Sequence, residues 1–187
     1  MAELATGHLK GVTNGAALVL GSGLGGGIII NGKLFQGSHF QAGELTFLLP
    51  LQMEKLDPSL MQETTLSAIG LITKVNEILA RLDLKDGLLA FKAINAKKEA
   101  VYPIFETYCR NLAITILNLQ TIFDMETFVL GGGISAQSIL IEEVNRQFDK
   151  VHHEIDFIGK IIKRPKIVAC HHNGTNLIGA AYFLKQG

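Results

Sequence analysis

The 187-residue chain has no tryptophan, three tyrosines, four prolines and two cysteines, and only 18% of its residues are charged. Ordinary soluble domains carry roughly 25% charge. A low charge content beside 48% apolar residues excludes intrinsic disorder, which needs the opposite balance. Seventeen Lys and Arg offset seventeen Asp and Glu, so no net field draws in nucleic acid or an anionic membrane. The one basic run, Lys160, Lys163, Arg164 and Lys166, is read as a solvated edge. Cys109 and Cys170 cannot make a disulfide framework and lack the paired spacing of a zinc site, so they are read as buried thiols of a reducing compartment. Residues 112–129 form the most apolar long stretch, but Asn118, Gln120, Asp124 and Glu126 interrupt it, which rules out a membrane span. The opening Met-Ala-Glu-Leu-Ala has no basic-then-apolar export pattern. The expectation is a cytoplasmic, soluble chain of one domain, or one lobe of a two-lobed protein.

What the sequence has in excess is glycine. Of its 20 glycines, eight fall between 21 and 43 (Gly21, Gly23, Gly25, Gly26, Gly27, Gly32, Gly37 and Gly43), and Gly131, Gly132 and Gly133 are consecutive. Such clusters mark backbone that approaches something closely or takes positive φ. Around them, residues 2–9 read as the tail of a helix, closed by Gly11 and Thr13-Asn14-Gly15. Residues 16–20 and 28–30 read as short buried strands, and Asn31-Gly32 signals a hairpin returning through residues 33–35. Asp57-Pro58-Ser59 opens a helical region with Ile69, Ile72, Val75, Leu79 and Leu82 at helical spacing. A short helix is expected over 88–94 and a long one over about 97–123, with Pro103 confined to its first turns. A strand over 127–130 runs into the triple glycine, Ser135 or Ser138 caps a helix reaching about residue 148, a strand covers 166–169, and a small-residue helix covers 176–184. The order is an antiparallel meander, a helical block, then βαβα: an α/β fold with a mixed sheet.

The run Gly21-Ser22-Gly23-Leu24-Gly25-Gly26-Gly27 has dinucleotide-fingerprint spacing but leads into Ile28-Ile29-Ile30, a strand, where a fingerprint needs a helix. It reads either as a turn whose N–H groups and Ser22 hydroxyl surround an anion, or as a plain glycine-rich hairpin. Gly131 to Gly133 sit between a strand and a helix, which suits a nucleotide on bare backbone or a tight turn with no ligand. Glu44, beside Gly43 in an apolar stretch, suits hydrogen bonds from a polyol, or is an exposed turn acid. The pairs His152-His153 and His171-His172 have no carboxylate or second thiol at ligand spacing, so no metal is assigned to them.

Taken together, residues 20–34 (Leu-Gly-Ser-Gly-Leu-Gly-Gly-Gly-Ile-Ile-Ile-Asn-Gly-Lys-Leu), Gly37, Ala42-Gly43-Glu44, Phe128-Val-Leu-Gly-Gly-Gly-Ile-Ser135 and Asn173-Gly-Thr-Asn-Leu-Ile-Gly-Ala-Ala181 resemble the ROK family of sugar kinases and sugar-responsive repressors. The resemblance implies the actin-like, ribonuclease-H-like ATPase fold, with residues 1–187 as the C-terminal lobe. It implies that Gly21, Ser22, Gly23, Gly25 and Gly26 bind phosphate, that Gly131, Gly132 and Gly133 face the adenosine, and that Glu44 and, less directly aligned, Glu63 bind sugar hydroxyls. The family's first phosphate loop and its catalytic Asp belong to the other lobe, so no catalytic residue is assigned in this chain. The implied ligands are ATP with Mg2+ and a sugar, with a homodimer as the assembly. Two features depart from the family. Its Glu-x-Gly-His reads Glu44-Leu45-Thr46-Phe47 here, and its cysteine-rich zinc loop is absent, so no zinc is expected and residues 47–62 are expected to close the sugar pocket by apolar packing. Two functions follow from the resemblance: phosphorylation of a hexose or related sugar (glucokinase-like, N-acetylmannosamine kinase-like or glucoside kinase-like), or effector sensing in a repressor.

Overall fold

The computed structural model describes residues 1–49, 65–154 and 156–171. The elements in chain order are α1 (Ala2–Thr6), β1 (Gly15–Leu20), β2 (Leu24–Ile30), β3 (Lys33–Phe35), a 3-10 turn (Leu45–Phe47), α2 (Ala68–Ile78), α3 (Gly87–Asn95), α4 (Tyr102–Phe123), β4 (Thr127–Gly132), α5 (Ser138–Glu154), α6 (Ile158–Ile161) and β5 (Lys166–Ala169). Five strands form one sheet in the order β3-β2-β1-β4-β5. The β1–β2 and β2–β3 pairs are antiparallel, while β1–β4 and β4–β5 are parallel. The meander followed by βα units is therefore as expected from the sequence. Asn31 (φ 52°) and Gly32 (φ 72°) make the hairpin turn in the doubly left-handed geometry that this dipeptide favours.

Side-chain alternation on the central strands divides the core. Ala16, Leu18, Leu20, Leu24, Ile28, Phe128 and Leu130 point to one face and are buried under Leu71, Val75, Phe91, Ile94, Phe105, Leu112, Ile116, Leu140 and Phe148 of the helices. The other face carries a small cluster of Leu9, Ile29 and Val129, with Leu4, Ala17, Leu34 and Val168 packed against it. Local chemistry sets the helix starts. The Ser67 hydroxyl accepts from Gly70 N (2.9 Å) at the start of α2, and Asp86 Oδ1 accepts from Leu89 N (2.9 Å) at the start of α3. Pro103 lies in the first turn of α4, where its missing N–H costs no helical bond.

Four expectations need correction. Residues 2–9 are helical only through Thr6. The helix after residue 67 buries Ala68, Leu71, Val75 and Asn76, leaving Ile69 half exposed and Leu82 beyond its end in solvent. The start of α4 is at Tyr102, several residues later than expected. Ser135 caps nothing: its hydroxyl bonds Gly132 O at 2.8 Å, and Ser138 is already the first helical residue of α5. The expected helix start at 57–59 and the helix over 176–184 lie outside the described residues.

Candidate functional site

Parallel pairing of β1 with β4 sets Leu20 opposite Gly132, so the two glycine runs leave the sheet at the same end. This C-terminal edge of parallel strands is where open α/β sheets bind ligands. Gly132 makes the close approach possible. At φ +99°, a Cβ there would stand 2.1 Å from Leu20 O, a contact no side chain tolerates. Ser135, 1% exposed, holds that bend through Gly132 O. On the other side, the Gly21–Gly23 turn is closed by Gly21 N donating to Gly23 O (3.0 Å) and anchored to α2 by Ala68 N donating to Gly21 O (2.8 Å). Among the described residues, nothing accepts from the N–H groups of Ser22 and Gly23. Those two donors and the exposed Ser22 hydroxyl are available to an anion.

Between the two loops and the starts of α2 and α3 lies a cavity of about 490 Å³, lined by Gly21, Gly133, Ile69, Leu88, Phe91 and Asp86, among others. Of its lining residues, Ile69 and Leu88 are 50% and 82% exposed. Neither Gly21 nor Gly133 takes a left-handed φ, and among the described residues a Cβ on either would meet nothing within 4 Å. The described part of the fold therefore does not require glycine at these two positions, whereas a ligand lying flat on the backbone would. Bare backbone, apolar side chains at the mouth and one carboxylate suit an adenosine moiety in both shape and chemistry. The described residues fit the nucleotide that the family resemblance implies.

The remaining candidate glycines lie elsewhere. Gly25 and Gly26 are not in the turn; they belong to β2, paired with Val19 and Leu18. Gly26 gives room to the next segment: a Cβ there would lie 2.8 Å from Leu45 Cδ1 and 2.9 Å from Gly43 O. Gly131 lies within β4 and lines a second cavity of about 410 Å³ on the opposite face. Of the three consecutive glycines, only Gly133 lines the cavity beside Gly21.

Glu44 lines the second cavity together with Gly25, Gly26, Gly27 and Glu3. Its loop lies directly on β2 because Gly43, at φ +95°, brings its backbone against Gly26 O. Glu44 is exposed, and among the described residues its carboxylate has no hydrogen bond or ion pair, so its oxygens are available to a ligand. Phe47 is 62% exposed and Leu48 and Leu49 are 40% and 37% exposed; the rest of the 47–62 stretch, expected to close the sugar pocket, lies outside the described residues. Glu63 and residues 50–62 lie outside the described residues, and no group of three or more His, Cys, Asp or Glu suited to a metal occurs among those described. Sequence reasoning missed Asp86, which precedes the helix expected over 88–94 and was given no role, and Ile69, placed on the buried stripe. It also missed Glu3, which is 6% exposed and accepts from His8 N (2.9 Å) and His171 N (2.8 Å), tying α1 to the end of β5.

His152 is buried against Phe148 with Nε2 on Ile162 O (2.7 Å), and His153 Nδ1 bonds Asp149 O, so this pair serves the α5–α6 junction. Burial pushes the Cys109 thiol well up, which leaves it an inert packing group. No described helix is long and apolar enough to cross a membrane.

Comparison with known proteins agrees with this architecture. The N-acetyl-D-glucosamine kinase of Vibrio cholerae is 29% identical over 194 residues, covering 95% of this chain and 60% of the kinase. The chain thus spans about 60% of that relative's length. A ROK family glucokinase from Streptomyces griseus, solved in complex with glucose and AMPPNP, superposes with a TM-score of 0.81 at 22% identity, over 100% of this chain and 65% of that one. A ROK family transcriptional regulator, a homologue of the E. coli MLC protein, superposes with a TM-score of 0.70 at 24% identity, over 98% of this chain and 48% of the regulator. The fold is that of an actin-like ATPase lobe, α/β with an open mixed sheet. The ROK family model matches residues 1–187, and the chain belongs to the ROK family.

Proposed function

We propose that residues 1–187 form the C-terminal lobe of an ATP-dependent kinase for a hexose or related sugar, and that this lobe supplies the nucleotide site and part of the sugar site. The observation that carries the reading is the pair Gly21 and Gly133, which the fold does not need as glycines and which line one cavity at the ends of two parallel strands. Phosphoryl transfer depends mainly on positioning and on stabilising charge over the transferring group, so a lobe of this kind contributes by holding. MgATP, when bound, supplies the phosphoryl group. The base would lie on Gly133 between Ile69 and Leu88, with Asp86 Oδ2 accepting from a nucleoside hydroxyl or amino group. Ser22 and Gly23 would donate their N–H groups to phosphate oxygens. Glu44 would accept from sugar hydroxyls and so orient the acceptor. No described residue of the lobe is assigned to Mg2+ or to proton abstraction, and the general base belongs to the other lobe. The protein would act in the cytoplasm, where ATP is plentiful, and as a homodimer.

The test is a coupled ADP-release assay over hexoses and N-acetylhexosamines, on residues 1–187 joined to the N-terminal lobe of the Vibrio cholerae relative. Sugar-dependent ADP release that falls in Glu44→Ala is the expected result. Sugar binding with no ADP release and no nucleotide binding would instead assign the chain to the effector-sensing branch of the family.

A further inference from the structure

Thr46 stands between the two candidate half-sites. Its Oγ1 accepts from Leu24 N (3.1 Å) and donates to Leu24 O (3.1 Å). Leu24 is the first residue of β2, opposite Leu20, and directly follows the Gly21–Gly23 turn. The third strand cannot reach this position, because β2–β3 pairing covers only Ile28 to Ile30. One side-chain hydroxyl therefore satisfies both outward backbone groups of Leu24, as a neighbouring strand otherwise would. The fit is close. A Cβ on Gly23 would stand 2.7 Å from Thr46 Oγ1, so the turn rests against the hydroxyl. Thr46 lies in the 3-10 turn Leu45–Phe47, whose preceding residue is Glu44, and that turn is pinned on its other side by Gly43 against Gly26.

We propose that Thr46 is the positioning residue of the phosphate-binding turn: its hydroxyl fixes Leu24, hence Gly21–Gly23, and joins that turn to the loop bearing Glu44. The inference rests on the nucleotide reading above and deepens it. Thr46 touches no ligand; it acts through the backbone donors of Ser22 and Gly23. A turn that is ordered in advance need not be ordered by the ligand, so the hydroxyl should favour ligands that carry phosphate over those that do not.

The experiment compares the wild-type chain with Thr46→Val, which keeps shape and removes the hydroxyl, and Thr46→Ser, which keeps the hydroxyl. Two quantities are read: amide exchange at Leu24, and the ratio of MgADP to adenosine affinity. Thr46 is only half buried, so water can reach the groups freed in Thr46→Val and the fold is retained. In Thr46→Val, exchange at Leu24 should quicken and the MgADP preference over adenosine should fall about tenfold, the scale of one or two lost hydrogen bonds. Adenosine affinity should be unchanged, and Thr46→Ser should restore both quantities. A general loss of structure would weaken both ligands together and leave the ratio alone, which overturns the positioning role. Unchanged Leu24 exchange, or quickened exchange with an unchanged ratio, also overturns it. If the wild-type chain binds neither ligand, the nucleotide reading itself has failed, and the exchange data then show only a structural clasp.

Discussion

Two adjacent glycines should respond in opposite ways to the same substitution. In Gly132→Ala, the new Cβ meets Leu20 O at 2.1 Å while the backbone holds φ +99°. Left-handed geometry alone costs an L-residue about 1–2 kcal/mol. Relieving the clash means parting β1 from β4 at their last paired residues, with ladder bonds worth about 0.5–1.5 kcal/mol each. The sum is on the order of 2–4 kcal/mol, a fall in Tm of roughly 5–15 °C for a chain of this size. In Gly133→Ala, the Cβ meets nothing within 4 Å among the described residues and φ is not left-handed, so the unfolded chain loses freedom while the folded chain makes no new clash. That substitution should stabilise by about 0.4–1 kcal/mol. Thermal and urea unfolding of both variants measure the difference. Nucleotide titration separates them further: Gly133→Val should bind MgADP about 10- to 100-fold more weakly, about 1.4–2.7 kcal/mol, with the stability of Gly133→Ala read beside it. Equal stability losses at both positions, or normal MgADP binding by Gly133→Val, would refute the division between glycines the fold needs and glycines a ligand needs.

In the lobe-joined kinase, Glu44→Ala should lower kcat/KM for the best sugar by about 1–3 kcal/mol per lost hydroxyl contact, with Tm unchanged because the carboxylate has no partner among the described residues. Asp86→Ala removes the α3 cap and should cost about 0.5–2 kcal/mol in urea unfolding, while Asp86→Asn should retain most of it. Burial works to raise the Glu143 pKa, but hydrogen bonds from Arg146, Gln147 and Tyr102 outweigh it and hold the carboxyl below the ordinary range. A depressed carboxyl adds stability that is complete above its unfolded value and is lost as pH falls through its folded value, so below about pH 4.5 the free energy of unfolding should fall more steeply with falling pH in wild type than in Glu143→Gln.

The hairpin and most of the long helix were legible because their causes are local: Asn31-Gly32 fixes a turn by its own dihedral preferences, and Pro103 is tolerated only in a first turn. The caps at Ser67 and Asp86 were not read, because a cap can be assigned only once the helix start is fixed. Gly25 to Gly27 misled because glycine is a poor strand former by itself; pairing with β1 and the packing of Gly43 and Leu45 hold it in β2. Ile69 fitted the helical spacing of a core residue, yet it lies half exposed over the cavity, since only the packed helix reveals which phase of the stripe faces inward. Family motifs pointed to all three consecutive glycines, but only contacts distinguish Gly132, which the strand crossing demands, from Gly133, which faces open space. Thr46 left no pattern at all, because its partner is 22 residues away.

The most direct measurement is a map of amide chemical shifts in the 187-residue chain during titration with MgADP. A nucleotide site between the two glycine loops predicts saturable changes, even at millimolar Kd (about −4 kcal/mol), concentrated at Gly21, Ser22, Gly23, Ile69, Leu88 and Gly133. Saturable changes centred elsewhere, or none at these residues, would contradict it.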